Sequence, residues 1–166
     1  MTMRRRLPLI LILLIPWLFV TAALSDDLVT AKVVGVTDGD SITVLAPGNR
    51  QVKIRLHGID CPESGQAFGK RAKQFTSNQC FGKIITYRKV DIDRYGRTVA
   101  TVYLNDGREL NLEIIRAGYA WHYRRYSDRQ DYAEAQERAR AEKLGLWADP
   151  HAKPPWEWRR ERRRKS

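Results

Sequence analysis

The spacing of hydrophobic positions in the first third of the chain is that of β-strands. Val29–Val36 is rich in valine, Ser41–Ala46 is rich in Ile, Thr and Val, and Gln51–His57 alternates apolar with polar residues. Such alternation places every second side chain on the same face of a strand. The connections are Asp38-Gly39, a strong hairpin signal, and the turn Pro47-Gly48-Asn49. These three segments predict a three-stranded meander.

Helix and strand signals alternate from Ser64-Gly65 onwards. Apolar residues at i, i+4 and i+7 predict an amphipathic helix that opens at Ser64-Gly65. Lys83–Val90 and Thr98–Leu104 predict a fourth and a fifth strand, separated by the loop Asp93–Arg97. The apolar stripe of the helix consists of Phe68, Ala72 and Phe75.

Two further helices are predicted after the fifth strand. Asn111 is the expected N-cap of a short apolar helix, and Ser127 with Gln130 fits a capping box that opens a longer one. Five strands with about three helices indicate an α+β fold. A five-stranded β-barrel of the oligonucleotide/oligosaccharide-binding (OB-fold) type is the natural candidate, because closure leaves no bare strand edge.

The charge of the chain divides it into three segments. The formal net charge is +11, which favours an anionic partner. Residues 1–25 contribute +3 from three arginines, and residues 150–166 contribute +5 from seven bases and two acids. Residues 26–149 form the predicted domain and carry the remaining +3. From Pro150 onwards the sequence has no apolar periodicity, which predicts a disordered basic tail.

The first 25 residues are typical of an export signal. Arg4–Arg6 precede the apolar run Leu7–Val20, and Ala23-Leu24-Ser25 fits a small-x-small cleavage site. The alternative is an uncleaved membrane anchor, because Leu7–Leu24 contains eighteen residues without a charge. Both interpretations place the rest of the chain outside the cytoplasm, whether secreted, periplasmic or held at the membrane.

The sequence contains two cysteines, Cys61 and Cys80. An exported protein can join two cysteines in a disulfide, but a single pair is a weak framework signal. We expect two free, partly buried thiols.

Three acidic residues lie where strands begin or end. Asp40 follows the first hairpin turn, Asp60 ends the segment after the third strand, and Glu63 follows it. If the first and third strands are neighbours, Asp40 and Asp60 approach each other, and the two carboxylates repel unless a cation lies between them. Oxygen ligands without a His or Cys cluster suit Ca²⁺ or Mg²⁺ rather than Zn²⁺. Taken singly, each acid has an ordinary explanation in turn chemistry.

Two arginines accompany these acids. Arg55 lies on the polar face of the third strand, and Arg97 lies in the later loop. Together they fit a phosphate clamp, since the guanidinium fork matches phosphate oxygens bidentately. The alternative is an ordinary surface ion pair. His57 is better explained as a structural residue than as a base, because nothing beside it in the sequence orients it.

Three motifs occur in order along the chain: Asp38-Gly39-Asp40-Ser41, Arg55-Leu56-x-Gly58-Ile59-Asp60-x-Pro62-Glu63 and Asp93-Arg94-Tyr95-Gly96-Arg97. Together they resemble the motifs of the staphylococcal nuclease (thermonuclease) family, over about residues 30–149. Three motifs in register are far more specific than any one alone. The resemblance implies a barrel of this type and a Ca²⁺-dependent phosphodiesterase that acts on DNA and RNA and leaves 3′-phosphate ends.

The resemblance also implies a metal site and a water-binding residue. By match to the motifs, Asp40 and Asp60 bind calcium directly, and the backbone carbonyl of Cys61 completes the protein ligands. Glu63 then holds the attacking water, as general base or orienter. The rival role for Glu63 is to cap the following helix, since an acid is favourable near a helix N-terminus.

The remaining implied residues are cationic or aromatic. By the same match, Arg55 and Arg97 stabilise the charged transition state. Arg94 and Tyr95 contact the terminal phosphate and sugar of the substrate, and Tyr126 stacks on a base. The loop after Glu63 is shorter than the family pattern, which bears on substrate preference.

An alternative function from another class is a non-catalytic nucleic-acid-binding module of the same fold. Such modules usually lack some of the matched acids and arginines, and this chain has them all, which favours the enzyme. We expect a monomer that uses no small-molecule cofactor and that meets the membrane only if its N-terminal segment is retained.

Overall fold

The protein is described here by a computed structural model covering residues 28–165. The barrel strands are β1 (Leu28–Asp38), β2 (Ser41–Ala46), β3 (Arg50–Leu56), β5 (Ile84–Ile92) and β6 (Thr98–Leu104). They close in the order β1–β2–β3–β6–β5, with β1 paired to β5. The predicted α+β fold with a five-stranded OB-fold-type barrel is confirmed.

The remaining elements lie outside the barrel sheet. A separate pair of antiparallel strands is formed by β4 (Ile59–Asp60) and β7 (Trp121–His122). Single turns of 3₁₀-helix lie at Pro47–Asn49 and Gly145–Ala148. The described residues contain four α-helices: α1 (Gly69–Cys80), α2 (Leu110–Arg116), α3 (Gln130–Ala141) and α4 (Pro155–Lys165).

The predicted three-stranded meander is confirmed, because β2 pairs antiparallel with both β1 and β3. β2 lies between β1 and β3, so the first and third strands are not neighbours, and that premise of the sequence analysis is wrong. β3 instead pairs with β6 in parallel, from Ile54–Leu56 to Thr98–Ala100. The other pairs in the barrel are antiparallel.

The hydrophobic core fills the barrel and continues under α2. Alternation places one face of each strand inside, as the pattern along the chain predicts. The helix α2 adds Leu110, Ile114 and Ile115, which are fully buried. The inward-facing residues of the strands include Val33, Ile42, Val44, Ile54, Leu56, Ile85, Ala100 and Val102.

The first helix begins later than the sequence predicts. α1 starts at Gly69 rather than at Ser64-Gly65, after Phe68 in a left-handed conformation with φ 66°. A Cβ atom at Gly69 would lie 1.9 Å from the carbonyl oxygen of Glu63, so the chain folds back tightly before the helix. The intervening segment is a turn in which the N–H of Gln66 donates to that same carbonyl, at 2.8 Å.

Asn111 is not a helix cap, contrary to the prediction. Glu109 occupies the N-cap position of α2. The buried amide of Asn111 donates to the carbonyls of His57 at 3.0 Å and Ala100 at 3.3 Å, and its oxygen accepts from the N–H of Val102 at 3.1 Å. The side chain therefore fastens α2 to β6 and to the end of β3.

The predicted capping box at Ser127 and Gln130 is also wrong. α3 begins at Gln130, with Arg129 as N-cap and no side-chain cap. The hydroxyl of Ser127 accepts from the N–H of Arg129 at 3.4 Å, and its carbonyl accepts from Nε2 of His122 at 2.9 Å. Ser127 thus ties its loop to β7.

The basic tail is helical, so the prediction of disorder is wrong for residues 155–165. Pro155 starts α4, Glu157 lies in its first turn and four basic residues lie in its last turn. Each of these placements favours a helix. The ring of Trp156 stacks on Tyr123, with centroids 5.1 Å apart and planes at 6°. The tail therefore docks on the domain.

Both cysteines are free, as predicted, and both are buried. Burial raises the pKa of the Cys61 thiol well above its usual value, and it raises the pKa of Cys80 to about 12. The thiols therefore stay protonated and unreactive at neutral pH.

The predicted export signal, residues 1–25, lies outside the described residues. Within residues 28–165, none of the helices has the length and apolar character needed to cross a membrane.

We expect Asn111→Ala to destabilise the fold by about 2–4 kcal/mol, because it leaves the N–H of Val102 and the carbonyl of His57 buried without this partner. Urea-induced unfolding measures the difference. The matched control is Asn105→Ala, an exposed position in the turn after β6, which should change stability by less than about 0.5 kcal/mol. Equal unfolding midpoints for the two variants would contradict this role of Asn111.

Candidate active site

Two buried aspartates meet at one end of the barrel, and Arg55 joins them. Asp40 directly precedes β2, and Asp60 ends β4. Asp40 is 5% exposed and Asp60 is 0% exposed. Arg55 Nη2 lies 2.8 Å from Asp60 Oδ1 and 3.2 Å from Asp40 Oδ2. One guanidinium therefore offsets the repulsion between two carboxylates that are held out of water.

The first hairpin turn brings Asp40 to this position because Gly39 lies directly against α1. A Cβ atom at Gly39 would lie 2.8 Å from the Cβ of Ala72 and 2.9 Å from the Sγ of Cys61. Without one, the turn approaches closely enough for the N–H of Cys61 to donate to Asp40 Oδ2, at 2.6 Å. The hairpin turn that carries Asp40 thus packs against the end of β4, and this contact brings Asp40 close to Asp60.

Arg55 also holds the turn that carries Asp60. Its Nη1 donates to the carbonyls of Leu56 at 3.1 Å and Ile59 at 2.9 Å. Burial raises the pKa of Asp60, and Asp40 adds to this effect, while a hydrogen bond from Arg159 and the charge of Arg55 act in the opposite direction. The net direction is upward, so the ionised form of Asp60 depends on its positive neighbours.

Glu63 lies beside this centre and is paired with a residue that the sequence analysis missed. Arg159 of α4 places Nη1 2.6 Å from Glu63 Oε1 and Nη2 2.7 Å from Asp60 Oδ2. Glu63 does not cap α1, which begins six residues later. The helix signals around Pro155 and the adjacent Trp156 could have pointed to an ordered tail, but nothing local specifies which arginine reaches the acids.

Arg97 is fixed by its own loop and joined to the centre through Ser41. Its Nε donates to Asp93 Oδ2 at 2.7 Å, and Asp93 Oδ1 accepts from the N–H groups of Tyr95 and Arg97. Burial raises the pKa of Asp93, but these hydrogen bonds outweigh it and lower the pKa. Arg97 Nη1 lies 3.5 Å from Ser41 Oγ, which donates to Asp40 Oδ1 at 3.1 Å.

The predicted substrate-contacting residues are exposed around the same cleft, which has a volume of about 1500 Å³. Tyr95 is 69% exposed and accepts a hydrogen bond from Arg94 at 2.6 Å. Tyr126 is 59% exposed and packs edge-on against Tyr123, with centroids 4.9 Å apart. These residues line the same cleft as the three acids.

One wall of the cleft consists of aromatic rings, and α4 contributes one of them, Trp156. Trp156 stacks on Tyr123 and meets Trp121 edge-on, with centroids 5.8 Å apart. Arg140 lies 5.0 Å from the ring centroid of Trp121. Arg163, one turn beyond Arg159, lines the same cleft. The wall therefore combines flat apolar surfaces with positive charge.

The acids fit a hard divalent cation in chemistry. Asp40, Asp60 and Glu63 carry three negative charges. Arg55 and Arg159 offset two of them, so the centre keeps a net negative charge. Carboxylate and backbone carbonyl oxygens are the ligands that Ca²⁺ takes. Across residues 28–165, no three His, Cys, Asp or Glu side chains form a ready-made metal cluster.

Known proteins resemble this chain over much of its length. Residues 53–149 match the family model described as staphylococcal nuclease homologue. An uncharacterized endonuclease of Haemophilus influenzae is 42% identical over 142 residues, which cover 86% of this chain and 79% of that protein. The micrococcal nuclease of Shigella flexneri is 43% identical over 141 residues, which cover 78% of this chain and 79% of that protein. An uncharacterized endonuclease of Escherichia coli is 38% identical over 157 residues, which cover 95% of this chain and 98% of that protein.

We expect Arg55→Met to destabilise the fold at pH 7.5 by about 3–5 kcal/mol, because it removes the guanidinium between two buried carboxylates and leaves Asp60 with Arg159 as its remaining arginine partner. The pKa of Asp60 is already raised, and removal of Arg55 raises it further. Lowering the pH through that raised pKa protonates the acid in the folded state and removes the repulsion. The penalty should therefore shrink towards pH 4.5.

Denaturant unfolding at the two pH values measures this change. Arg50→Met is the matched control, since Arg50 is exposed at the start of the same strand. A penalty in Arg55→Met that stays constant between pH 7.5 and pH 4.5 would show that the loss comes from packing rather than from charge.

Proposed function

The chain belongs to the staphylococcal nuclease homologue family, and from that premise we propose that it is a calcium-dependent nuclease. Its reaction is hydrolysis of phosphodiester bonds in DNA and RNA, leaving 3′-phosphate ends. The observation that carries the proposal is the convergence of Asp40, Asp60 and Glu63 with Arg55 in an open, arginine-lined cleft.

Asp40 and Asp60, with the backbone carbonyl of Cys61, would hold the calcium ion. Bound there, calcium supplies positive charge that neutralises the phosphate. The hydrogen bond from the N–H of Cys61 to Asp40, at 2.6 Å, keeps this carboxylate and this peptide unit together. Pro62 restricts the backbone between Cys61 and Glu63, which keeps Glu63 at a fixed distance from Asp60.

In this proposal, Glu63 holds the attacking water. Its side chain is 32% exposed, unlike those of the two aspartates, so water reaches it from the cleft. A carboxylate that accepts a proton from water must lie within about 2.6–3.2 Å of it. Its neighbour Asp60 is buried, and this difference in exposure supports a metal-binding role for Asp60 and a water-binding role for Glu63.

Arg55 and Arg97 supply fixed positive charge to the phosphoryl oxygens. Both guanidinium groups are held by protein acids, Arg55 by the aspartates and Arg97 by Asp93 at 2.7 Å. Charge that is already oriented needs no rearrangement when the transition state forms, and such preorganised charge is usually the largest catalytic contribution.

The cleft suits a nucleic-acid strand without reading its sequence. Tyr95 and Tyr126 offer exposed rings, and stacking on an aromatic ring tolerates every base. The arginines of the tail contact phosphates, which are the same in every sequence. DNA and RNA are therefore both substrates in this proposal, and the protein acts as a monomer.

We also propose that the protein is exported. The support is the sequence of residues 1–25, with three arginines, an apolar run and a small-x-small site. Retention of that segment as an anchor would leave the domain outside the cytoplasm as well.

The experiment that tests the proposal is digestion of single-stranded DNA and RNA by residues 26–166, with Ca²⁺ and with chelator. We expect cleavage only with Ca²⁺, and products whose 3′ ends a polymerase extends only after phosphatase treatment. A folded protein that binds nucleic acid but cleaves neither substrate would instead be the non-catalytic binding module.

We expect Glu63→Gln to lower kcat by about two to four orders of magnitude, because the amide keeps the shape of the side chain but loses its basicity. Nucleic-acid binding should change little. Glu137→Gln is the control, since Glu137 lines the same cleft and is 61% exposed. Wild-type turnover in a folded Glu63→Gln protein refutes the assignment.

We expect Asp40→Asn to lower the affinity for Ca²⁺ by about tenfold or more, since it removes a direct anionic ligand while the amide oxygen can still accept from Cys61. Calorimetric titration measures the affinity. Asp38→Asn removes an acid two residues away that pairs with Ser64 instead, and it should leave the affinity within about twofold. Equal losses in both variants would indicate a general charge effect instead of a ligand.

A further inference from the structure

Arg159 forms ion pairs with Asp60 and Glu63, two acids on which the proposed chemistry depends. Its guanidinium contacts both oxygens of Asp60, with Nη2 2.7 Å from Oδ2 and Nη1 3.3 Å from Oδ1. The same Nη1 lies 2.6 Å from Glu63 Oε1. Asp60 is the proposed cation ligand, and Glu63 is the proposed holder of the attacking water. This arginine comes from a segment beyond the matched residues 53–149.

The approach of Arg159 is set by how α4 is anchored. Trp156, three residues before it, packs between Tyr123 and Trp121. The segment before the helix is held as well, because the side chain of Gln66 donates to the carbonyl of Lys153 at 2.6 Å. The start of the helix is therefore docked on the domain, and Arg159 follows within the next turn, where its side chain is partly buried and 33% exposed.

A guanidinium and a divalent cation compete for the same oxygens. Arginine stays charged at all relevant pH values. Asp60 is completely buried and has only two carboxylate oxygens, one shared between Arg55 and Arg159 and the other bound by Arg159. A cation bound at those oxygens would face a positive charge at contact distance, and two like charges at that distance repel strongly away from bulk water.

Resting on the proposed function, we propose that Arg159 is an internal competitor of the cation. In the cation-free protein, its guanidinium neutralises Asp60 and Glu63. Cation binding at Asp40 and Asp60 displaces it into the cleft, which frees Glu63 to hold water. The displaced side chain stays next to Arg163 on the aromatic and basic wall, where substrate phosphates would lie. The affinity of the site for its cation is therefore set by a helix outside the barrel.

The experiment is calorimetric titration of Ca²⁺ into the chain from residue 26 to 166, as wild type, Arg159→Ala and Arg163→Ala. Loss of the competitor should tighten Ca²⁺ binding about tenfold, within the 5–150-fold range of ordinary coupling between ligands. Arg163→Ala removes the same charge from the same helix, one turn away, and should change the affinity by less than about twofold.

Thermal unfolding gives a second measurement that does not depend on activity. In chelator, Arg159→Ala should melt at a lower temperature than wild type, because two acids lose their partner. Added Ca²⁺ should raise its melting temperature by more than it raises that of the wild type, since tighter binding stabilises the folded state more. Arg159→Gln keeps most of the side-chain length and some hydrogen bonding but loses the charge. It should show the same changes in melting temperature, and it replaces Arg159→Ala in the experiment if that variant does not fold.

Affinity for Ca²⁺ that is unchanged or weaker in both Arg159 variants would overturn the proposal and make Arg159 a structural brace. If the wild type binds and cleaves with Ca²⁺ in that case, the proposed function stands while the competitor is rejected. If no variant binds Ca²⁺, both are rejected. Ca²⁺ binding that appears only after Arg159 is replaced would support the competitor in its strongest form.

Discussion

The ion pairing of Asp40 and Asp60 with Arg55 is the interaction on which the rest of this site depends. Two carboxylates with exposures of 5% and 0% cannot both stay ionised without a positive partner. Arg55 provides one, and it does so from a barrel strand while its other nitrogen secures the turn that carries Asp60. The charges of both acids and the turn that carries Asp60 thus depend on this side chain, and Arg159 adds a second partner for Asp60.

The part of the site that could be predicted from the sequence is the part built from local motifs. Asp40 in its hairpin turn and Asp60 after Arg55 follow from short-range turn and strand signals. Their distances also depend on Gly39, whose missing side chain lets the turn rest on Cys61. That contact joins residues far apart in sequence, and no periodicity reports it. The closure of the barrel was not predicted for the same reason, since a meander pattern does not specify which further strands pair with its edges.

Two of the errors in the sequence-based predictions are informative because a contact between residues far apart in sequence replaces a local interpretation. Asn111 has the residue type of a helix cap. Its amide instead accepts a hydrogen bond from the N–H of Val102 and donates one to the carbonyl of His57. Ser127 has the spacing of a capping box, yet it holds β7. Arg159 lies in a run of arginines that is typical of a solvated, charged segment. The docking of Trp156 on Tyr123 determines which of these arginines reaches the acids. Asn111 and Arg159 thus form hydrogen bonds to residues far away in the sequence, whereas Ser127 contacts His122 only five residues before it.

The parallel pairing of β3 with β6 has a consequence for how this protein loses its structure. It joins three residue pairs, Ile54–Leu56 with Thr98–Ala100, whereas each neighbouring antiparallel pair in the barrel is longer. Arg55 lies in the middle of this seam, opposite Val99. Amide hydrogen exchange along the seam would therefore report opening of the barrel and disassembly of the acid centre as a single event. A barrel that opens only at this seam keeps its hairpins after the acid centre has come apart.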